Sequence, residues 1–212
     1  MKIAREGFPF IAGSMIFAAA VYAFSRGRAG WDWAAAVAFA ITLFMFYFFR
    51  DPERETPQVE GAIISPADGR VILIKELREE EFLKADARMV SIFMSPFNVH
   101  VNRAPYGGRV EAVKHTVGSF KAASAADAWK VNENIAMHLS SDRGQLLVRQ
   151  VAGFIARRAV CRVIPGDVLK TGQRYGIIKF SSRLDVYLPP EAKLEVKVGD
   201  RVQAGRSIIA RW

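Results

Sequence analysis

Two adjacent hydroxyl residues, Ser181 and Ser182, fall where the alternating run Tyr175-Gly176-Ile177-Ile178-Lys179-Phe180 gives way to a second β-favouring run, Leu184-Asp185-Val186-Tyr187-Leu188. A serine held in a break between two strands can turn its hydroxyl onto the carbonyl of the residue before it; taken locally, the same pair also reads as a polar turn. His100 lies in SPFNVHVNRAP (residues 95–105), where Asn98, His100 and Asn102 alternate on one face of an extended segment. Such a row suits a site face and a hydrogen-bonded structural row equally. Asp68 belongs to the Asp68-Gly69 turn signal of SPADGRV (residues 65–71), a place where aspartate is ordinarily structural. His115 and His138 sit in plain alternating contexts and read as exposed or satisfied strand histidines, and Cys161, inside an apolar run, reads as a small buried side chain. No metal-ligand set, P-loop or GxGxxG is present in the sequence. Chemistry here would have to come from ordinary side chains.

The elements that must position these groups follow from the apolar pattern. Residues 8–24 carry no charge, and residues 31–49 carry one, Asp32, at their start; Ser25-Arg26-Gly27-Arg28-Ala29-Gly30 joins the two runs. Crossing a bilayer takes roughly 20 apolar residues, and both runs have aromatic ends suited to the interface. The spacing predicts a hydrophobic helical hairpin over residues 1–50 that anchors the chain to a membrane. A signal peptide would account for the first run but not the second, and a buried helical pair is the soluble alternative. The Lys and Arg distribution favours both ends of the hairpin on the cytoplasmic side. The charged, proline-bearing stretch Arg50-Asp51-Pro52-Glu53-Arg54-Glu55-Thr56-Pro57 opens a second domain, residues 51–212. That domain is predicted to be mainly β, with short strands at 62–64, 71–74, 89–94, 110–113 and 145–148. Helix signals are fewer: residues 76–87, and residues 151–161, whose spacing also fits a buried strand and helix pair. Pro165-Gly166-Asp167-Val168-Leu169-Lys170-Thr171-Gly172 recurs nearer the C-terminus as Val198-Gly199-Asp200-Arg201-Val202-Gln203-Ala204-Gly205. This glycine-turn repeat is similar to the turns of lipoyl-type β-sandwiches, though the hairpin lysine of those modules is missing, and it implies a compact sandwich or barrel-like β architecture. The formal charge of +9 favours an anionic partner, either nucleic acid or acidic lipid head groups, and the single cysteine fits a reducing compartment.

Taken together, YFFRDPER (47–54), ISPADGRV (64–71), FMSPFNVHVNRAP (93–105), GSF (118–120), VAGFIARR (151–158) with Cys161, and KFSSRLDVYLP (179–189) resemble the phosphatidylserine decarboxylase family in its short bacterial or archaeal form. They occur in the family's order and span nearly the whole chain. The resemblance implies that Ser182 attacks the carbonyl before it, that the ester so formed is eliminated and hydrolysed, and that the residue becomes a pyruvoyl group heading a small chain, 182–212, still associated with the larger one. The ketone of such a group delocalises the charge left at Cα when carbon dioxide departs. The resemblance further implies that Asp68 supports self-cleavage and that His100 moves protons in both steps. Asn98, Asn102 and Arg103 become candidates for substrate contact. Long-form enzymes carry a second histidine where Arg103 stands, and an arginine there is suited to a carboxylate or phosphate.

Ser181 occupies the position where the family has glycine, although other pyruvoyl enzymes cut a Ser-Ser bond, and residues 121–129 are richer in alanine than the family pattern. The function so implied is decarboxylation of phosphatidylserine to phosphatidylethanolamine, in phospholipid biosynthesis at the cytoplasmic side of the inner membrane. Its partners are a membrane phospholipid and an anionic surface and not nucleic acid, and a homodimer is a further expectation. The alternatives are archaetidylserine as substrate, an uncut membrane-tethered lipid-binding relative, and a Ser/His/Asp hydrolase; the last lacks a GxSxG elbow.

Overall fold

Beyond residue 60 the apolar residues fall in short alternating runs, and the chain there folds into antiparallel strands. The computed structural model describes residues 2–26, 28, 30–118, 132–153, 158–179 and 182–212. It divides into two units, Met1–Glu53 and Arg54–Trp212. In the first, β1 (Lys2–Ile3) pairs with β2 (Arg50–Asp51), and between them run two helices, α1 (Phe8–Ser25) and α2 (Asp32–Phe48). Pro9 stands in the first turn of α1, where an amide hydrogen would have no intrahelical partner. The hydroxyl of Thr42 donates to the Ser14 carbonyl across the helix pair at 3.1 Å. Ile16, Phe17, Trp33 and Phe39 are all more than half exposed, so the helices are apolar on their outer sides as well as where they meet. Arg5–Ser25 is long and apolar enough to cross a membrane, and Asp32–Phe48 is shorter.

The second unit contains β3 (Ala62–Ile64), β4 (Gly69–Glu79), β5 (Ala85–Met94), β6 (Val101–Arg103), β7 (Gly108–Thr116), β8 (Asn134–Ser140), β9 (Gln145–Ala152), β10 (Arg158–Cys161), β11 (Val168–Leu169), β12 (Arg174–Lys179), β13 (Ser182–Leu188), β14 (Lys193–Leu194), β15 (Arg201–Val202) and β16 (Ile208–Arg211). Eight strands form one curled sheet in the order β11-β7-β8-β9-β13-β5-β4-β15. Two three-stranded sheets, β10-β12-β6 and β14-β16-β3, complete the unit, which is mainly β as the sequence predicts. Period two decides the faces of the long sheet. Leu184, Val186 and Leu188 enter the main core with Val71, Ile92, Val148 and Ile178, while Tyr187 packs on the opposite face against Met89, Ala136 and Leu147. Each of these fully buried aliphatic side chains contributes about 1.5–3 kcal/mol.

The glycine-turn repeat has a partner repeat that sequence reading missed. Ser65-Pro66-Ala67-Asp68-Gly69-Arg70-Val71 recurs as Ala104-Pro105-Tyr106-Gly107-Gly108-Arg109-Val110. Each copy of one repeat docks on a copy of the other. Val71 N–H donates to the Asp200 carbonyl at 2.9 Å, and Gly199 N–H donates to the Val71 carbonyl at 2.8 Å. In the other pair Val110 N–H donates to the Asp167 carbonyl and Gly166 N–H to the Val110 carbonyl, both at 2.8 Å. Gly205 N–H donates to Ser65, and Gly172 N–H to Ala104. The turn glycines match in conformation, with φ of 99° and 101° at Gly166 and Gly199 and of 76° and 74° at Gly172 and Gly205, a region that disfavours any side chain. The long sheet consequently reads alike from either edge, with β15 and β11, β4 and β7, and β5 and β8 as counterparts. Val186 and Val148 face each other at its centre. The two docked pairs form a first cup (65–71 with 198–205) and a second cup (104–110 with 165–172).

Three local expectations are corrected. Residues 76–87 are a hairpin, not a helix: β4 runs to Glu79, whose carboxylate accepts from the amides of Phe82 and Leu83 at 2.8 Å, and Lys84 turns the chain at φ 51°. Glu79 thus caps a turn. Residues 151–161 are strand at both ends, β9 through Ala152 and β10 from Arg158. Asn98 does not share a strand with Asn102, because β6 begins only at Val101 and Asn98 closes the turn after Ser95.

Candidate active site

The candidate site lies where the long sheet and the β10-β12-β6 sheet meet end to end in sequence. Ser182 is the first residue of β13, paired on one side with Met94, the last residue of β5, and on the other with Ala152, the last of β9. β12, the preceding strand, ends at Lys179 and belongs to a different sheet. Phe180 and Ser181 lie outside the described residues, as do residues 119–131 and 154–157 of the GSF and VAGFIARR segments. Ser182 is fully buried, and its hydroxyl lies 3.4 Å from the Met94 thioether. Sulfur is a weak acceptor, so this contact restrains the hydroxyl little.

His100 stands immediately before β6, and its carbonyl accepts from Ile178 N–H at 3.3 Å, one residue before the end of β12. The imidazole is buried, with Nδ1 3.0 Å from the Asn98 carbonyl. A carbonyl only accepts, so Nδ1 carries the hydrogen and Nε2 is the basic nitrogen. Asn98 holds the turn from the other side, its Oδ1 accepting from Ser95 N–H at 2.9 Å and from Ser95 Oγ at 2.8 Å. Asn102 is buried with Nδ2 3.9 Å from Met94 Sδ, the sulfur that Ser182 also meets. Its Oδ1 accepts from Gln150 Nε2 at 2.8 Å. Gln150 belongs to β9, so this bond joins the long sheet to the small one; only glycine at 176 leaves room for it, since a Cβ there would stand 2.9 Å from Gln150 Nε2. The polar glutamine inside the apolar run Leu146-Leu147-Val148-Arg149-Gln150-Val151 was the sequence signal for this contact.

Asp68 reaches the same end of the sheet by close packing. Gly69 follows it, and a Cβ on Gly69 would lie 2.0 Å from the carbonyl of Phe93, the residue before Met94. The Asp68 carboxylate is gripped on both oxygens by the Arg54 guanidinium, with Oδ2 at 2.8 Å, and Oδ1 also accepts from Ala204 N–H at 2.8 Å. Arg54 reads from sequence as one more charge in a linker, yet its side chain is 8% exposed and holds the aspartate in place. Removing one partner of such a pair costs about 3–5 kcal/mol. Arg103 is 5% exposed and donates from Nη1 to the Gly172 carbonyl at 3.0 Å. Its stem lies 2.7 Å from where a Cβ on Gly205 would stand, so it passes between the closing glycines of the two cups.

A second buried charge pair starts one residue beyond Ser182 and faces away from the main core. Arg183 Nε donates to Asp185 Oδ1 at 2.6 Å, both fully buried. Burial pushes the Asp185 carboxyl above its ordinary range, against the pull of Arg183. Away from this end, His115 meets Glu133 at 3.0 Å and His138 meets Gln145 at 3.2 Å, both as ordinary strand histidines. Cys161 packs against the main core, and burial raises its thiol. Among the described residues no cluster of His, Cys, Asp and Glu could hold a metal ion.

Comparison with known proteins adds to this geometry. A family model described as phosphatidylserine decarboxylase matches residues 41–210. The phosphatidylserine decarboxylase proenzyme of Desulfotalea psychrophila is 43% identical over all of this chain and 97% of its own length. Those of Nitrosomonas eutropha and Syntrophus aciditrophicus are 43% and 45% identical, over 99% and 97% of this chain and 95% of each relative.

Proposed function

The chain belongs to the phosphatidylserine decarboxylase family, and on that premise we propose that it opens its own backbone between Ser181 and Ser182, converts Ser182 to a pyruvoyl group, and decarboxylates phosphatidylserine to phosphatidylethanolamine. The observation that carries the reading is Ser182 itself: fully buried, first in a central strand, its hydroxyl lying against a thioether. A hydroxyl so loosely held can turn toward the preceding carbonyl. The same pocket fits the product, because the pyruvoyl methyl takes the place of the Ser182 Cβ and needs only the apolar wall that Met94 provides. That group supplies an electron sink for the carbanion left at Cα when carbon dioxide departs.

The chain's own residues do the rest. His100, with its hydrogen fixed on Nδ1 by Asn98, presents Nε2 as base to the Ser182 hydroxyl during maturation and, once protonated, as acid to the substrate's Cα. Asp68, locked by Arg54 and Ala204, holds the Gly69 turn against Phe93 and so sets the strand end on which Met94 and Ser182 meet. Residues 1–50 serve as the membrane anchor, and the basic domain works at an anionic lipid surface on the cytoplasmic side of the inner membrane.

Intact-mass measurement of the purified protein tests the first step. Two species, 1–181 and 182–212, are expected, and Ser182→Ala should give one full-length species without decarboxylase activity. A fully active Ser182→Ala enzyme would end the pyruvoyl assignment.

A further inference from the structure

The trailing segments of the two cups carry their exposed charge at different positions: the first has Arg201 and Gln203 where the second has Val168 and Lys170. In the first, β15 lies on β4 with Arg201 directly opposite Arg70; in the second, β11 lies on β7 with Val168 opposite Arg109. Like charges facing each other across a ladder are destabilising. Arg70 and Arg201 are both exposed, and neither makes a hydrogen bond or ion pair among the described residues. They line a cleft of about 570 Å³ with Asp68, Phe93, Ser95 and Asn98. Phe93 and Ser95 flank Met94, the ladder partner of Ser182, so the cleft opens beside the reacting strand end. The one acid in that set, Asp68, is neutralised by Arg54. Asn98 turns its Oδ1 to the Ser95 amide, which leaves its Nδ2 hydrogens as a third donor.

We propose that this cleft binds the phosphate of the substrate's head group between Arg70 and Arg201, with Asn98 Nδ2 beside them. The proposal rests on the reading of Ser182 as the reacting residue. Of the head group's two anions, phosphate is the one that two guanidiniums favour productively. It keeps its charge throughout, so its binding is the same in ground and transition states. The carboxylate loses its charge as carbon dioxide forms, and an arginine on it would hold back the reaction. Arg103, the other candidate for this role, is instead buried against Gly172.

Uniform binding appears in KM and not in kcat. The test uses the self-processed enzyme, a short-chain serine phospholipid below its aggregation concentration, and the variants Arg70→Gln and Arg201→Gln. A soluble substrate removes recruitment to a charged membrane from the measurement. KM should rise about tenfold or more in each variant, the range for a hydrogen bond to a charged group, with kcat nearly retained. For the unaltered enzyme, sn-glycerol 3-phosphate should compete with substrate, better than inorganic phosphate does, and this measurement needs no variant to fold. Unchanged KM in both variants, a fall confined to kcat, or no competition by glycerol phosphate overturns the proposal. Equal competition by inorganic phosphate with unchanged KM marks a general anion site and overturns it too. Should the unaltered protein show only the full-length mass, it is the Ser182 reading that fails. Protection of the unaltered protein by glycerol phosphate in thermal unfolding, lost in Arg201→Gln, still reads the cleft.

Discussion

The two cups share a backbone and differ in what their side chains do with it. At the position of Asp68 the second cup has Gly107, and at the position of Ala204 it has Thr171. In the first cup a side chain of the leading segment accepts from the backbone of the trailing one, Asp68 Oδ1 from Ala204 N–H at 2.8 Å. In the second the direction is reversed, with Thr171 Oγ1 accepting from Gly107 N–H at 2.8 Å. Both bonds close the cup equally well. Only the first requires an ionised acid, and with it a buried arginine to neutralise the charge. Structure alone did not demand Asp68, since a neutral solution to the same closure stands in the same molecule. The acid and the arginine pair on the outer edge are both found in the first cup and neither in the second, which fits the role proposed for Asp68.

The largest effect is expected from erasing that difference. Asp68→Asn should destabilise the fold by about 3–5 kcal/mol, because Arg54 is left buried without its counter-charge, and should stop processing among the molecules that remain folded. Gly107→Asp, which gives the second cup the acid, should leave processing intact; chemical denaturation and intact mass report the two readouts. Equal loss of processing in both variants would break the distinction between the cups.

Next come the two packing glycines. A Cβ at Gly69 would stand 2.0 Å from the Phe93 carbonyl, and one at Gly108 would stand 2.4 Å from the Ser140 carbonyl. Backbone cannot yield as a side chain can, so Gly69→Ala and Gly108→Ala should each cost roughly 1–3 kcal/mol in a denaturant titration. Only Gly69→Ala should slow cutting, since Phe93 leads into the partner of Ser182. The smallest effect is expected on the outer edge. Val168→Arg sets a second guanidinium opposite Arg109 and should lower stability by about 0.2–1 kcal/mol, with added phosphate recovering the loss in a thermal shift. No recovery would mean that facing arginines on this ladder do not make an anion site.

How much of this was legible in the sequence depends on the distance over which each signal acts. The β class, the apolar helices and the glycine turns are local patterns, and they appear where periodicity and the Gly-Asp repeat place them. The partner repeat keeps Pro, Gly, Arg and Val between its two copies but loses the Asp-Gly turn signal, Gly107-Gly108 standing in the second copy, so it emerges only with the matching hydrogen bonds. Arg54 and Gln150 were missed because their partners, Asp68 and Asn102, lie 14 and 48 residues away. The helix predicted over residues 76–87 failed because Glu79 caps a hairpin with the same chemistry that caps a helix.

The place of β13 has a consequence for the life of the molecule. In the proposed maturation the chain from Ser182 to Trp212 becomes a separate peptide, yet β13 is held by ladder partners on both sides along nearly its whole length. Exchanging that peptide for a fresh one would mean parting the long sheet down its middle. On that proposal each copy of the protein carries the one reactive head it was born with, and damage to that head is repaired only by making the whole chain anew.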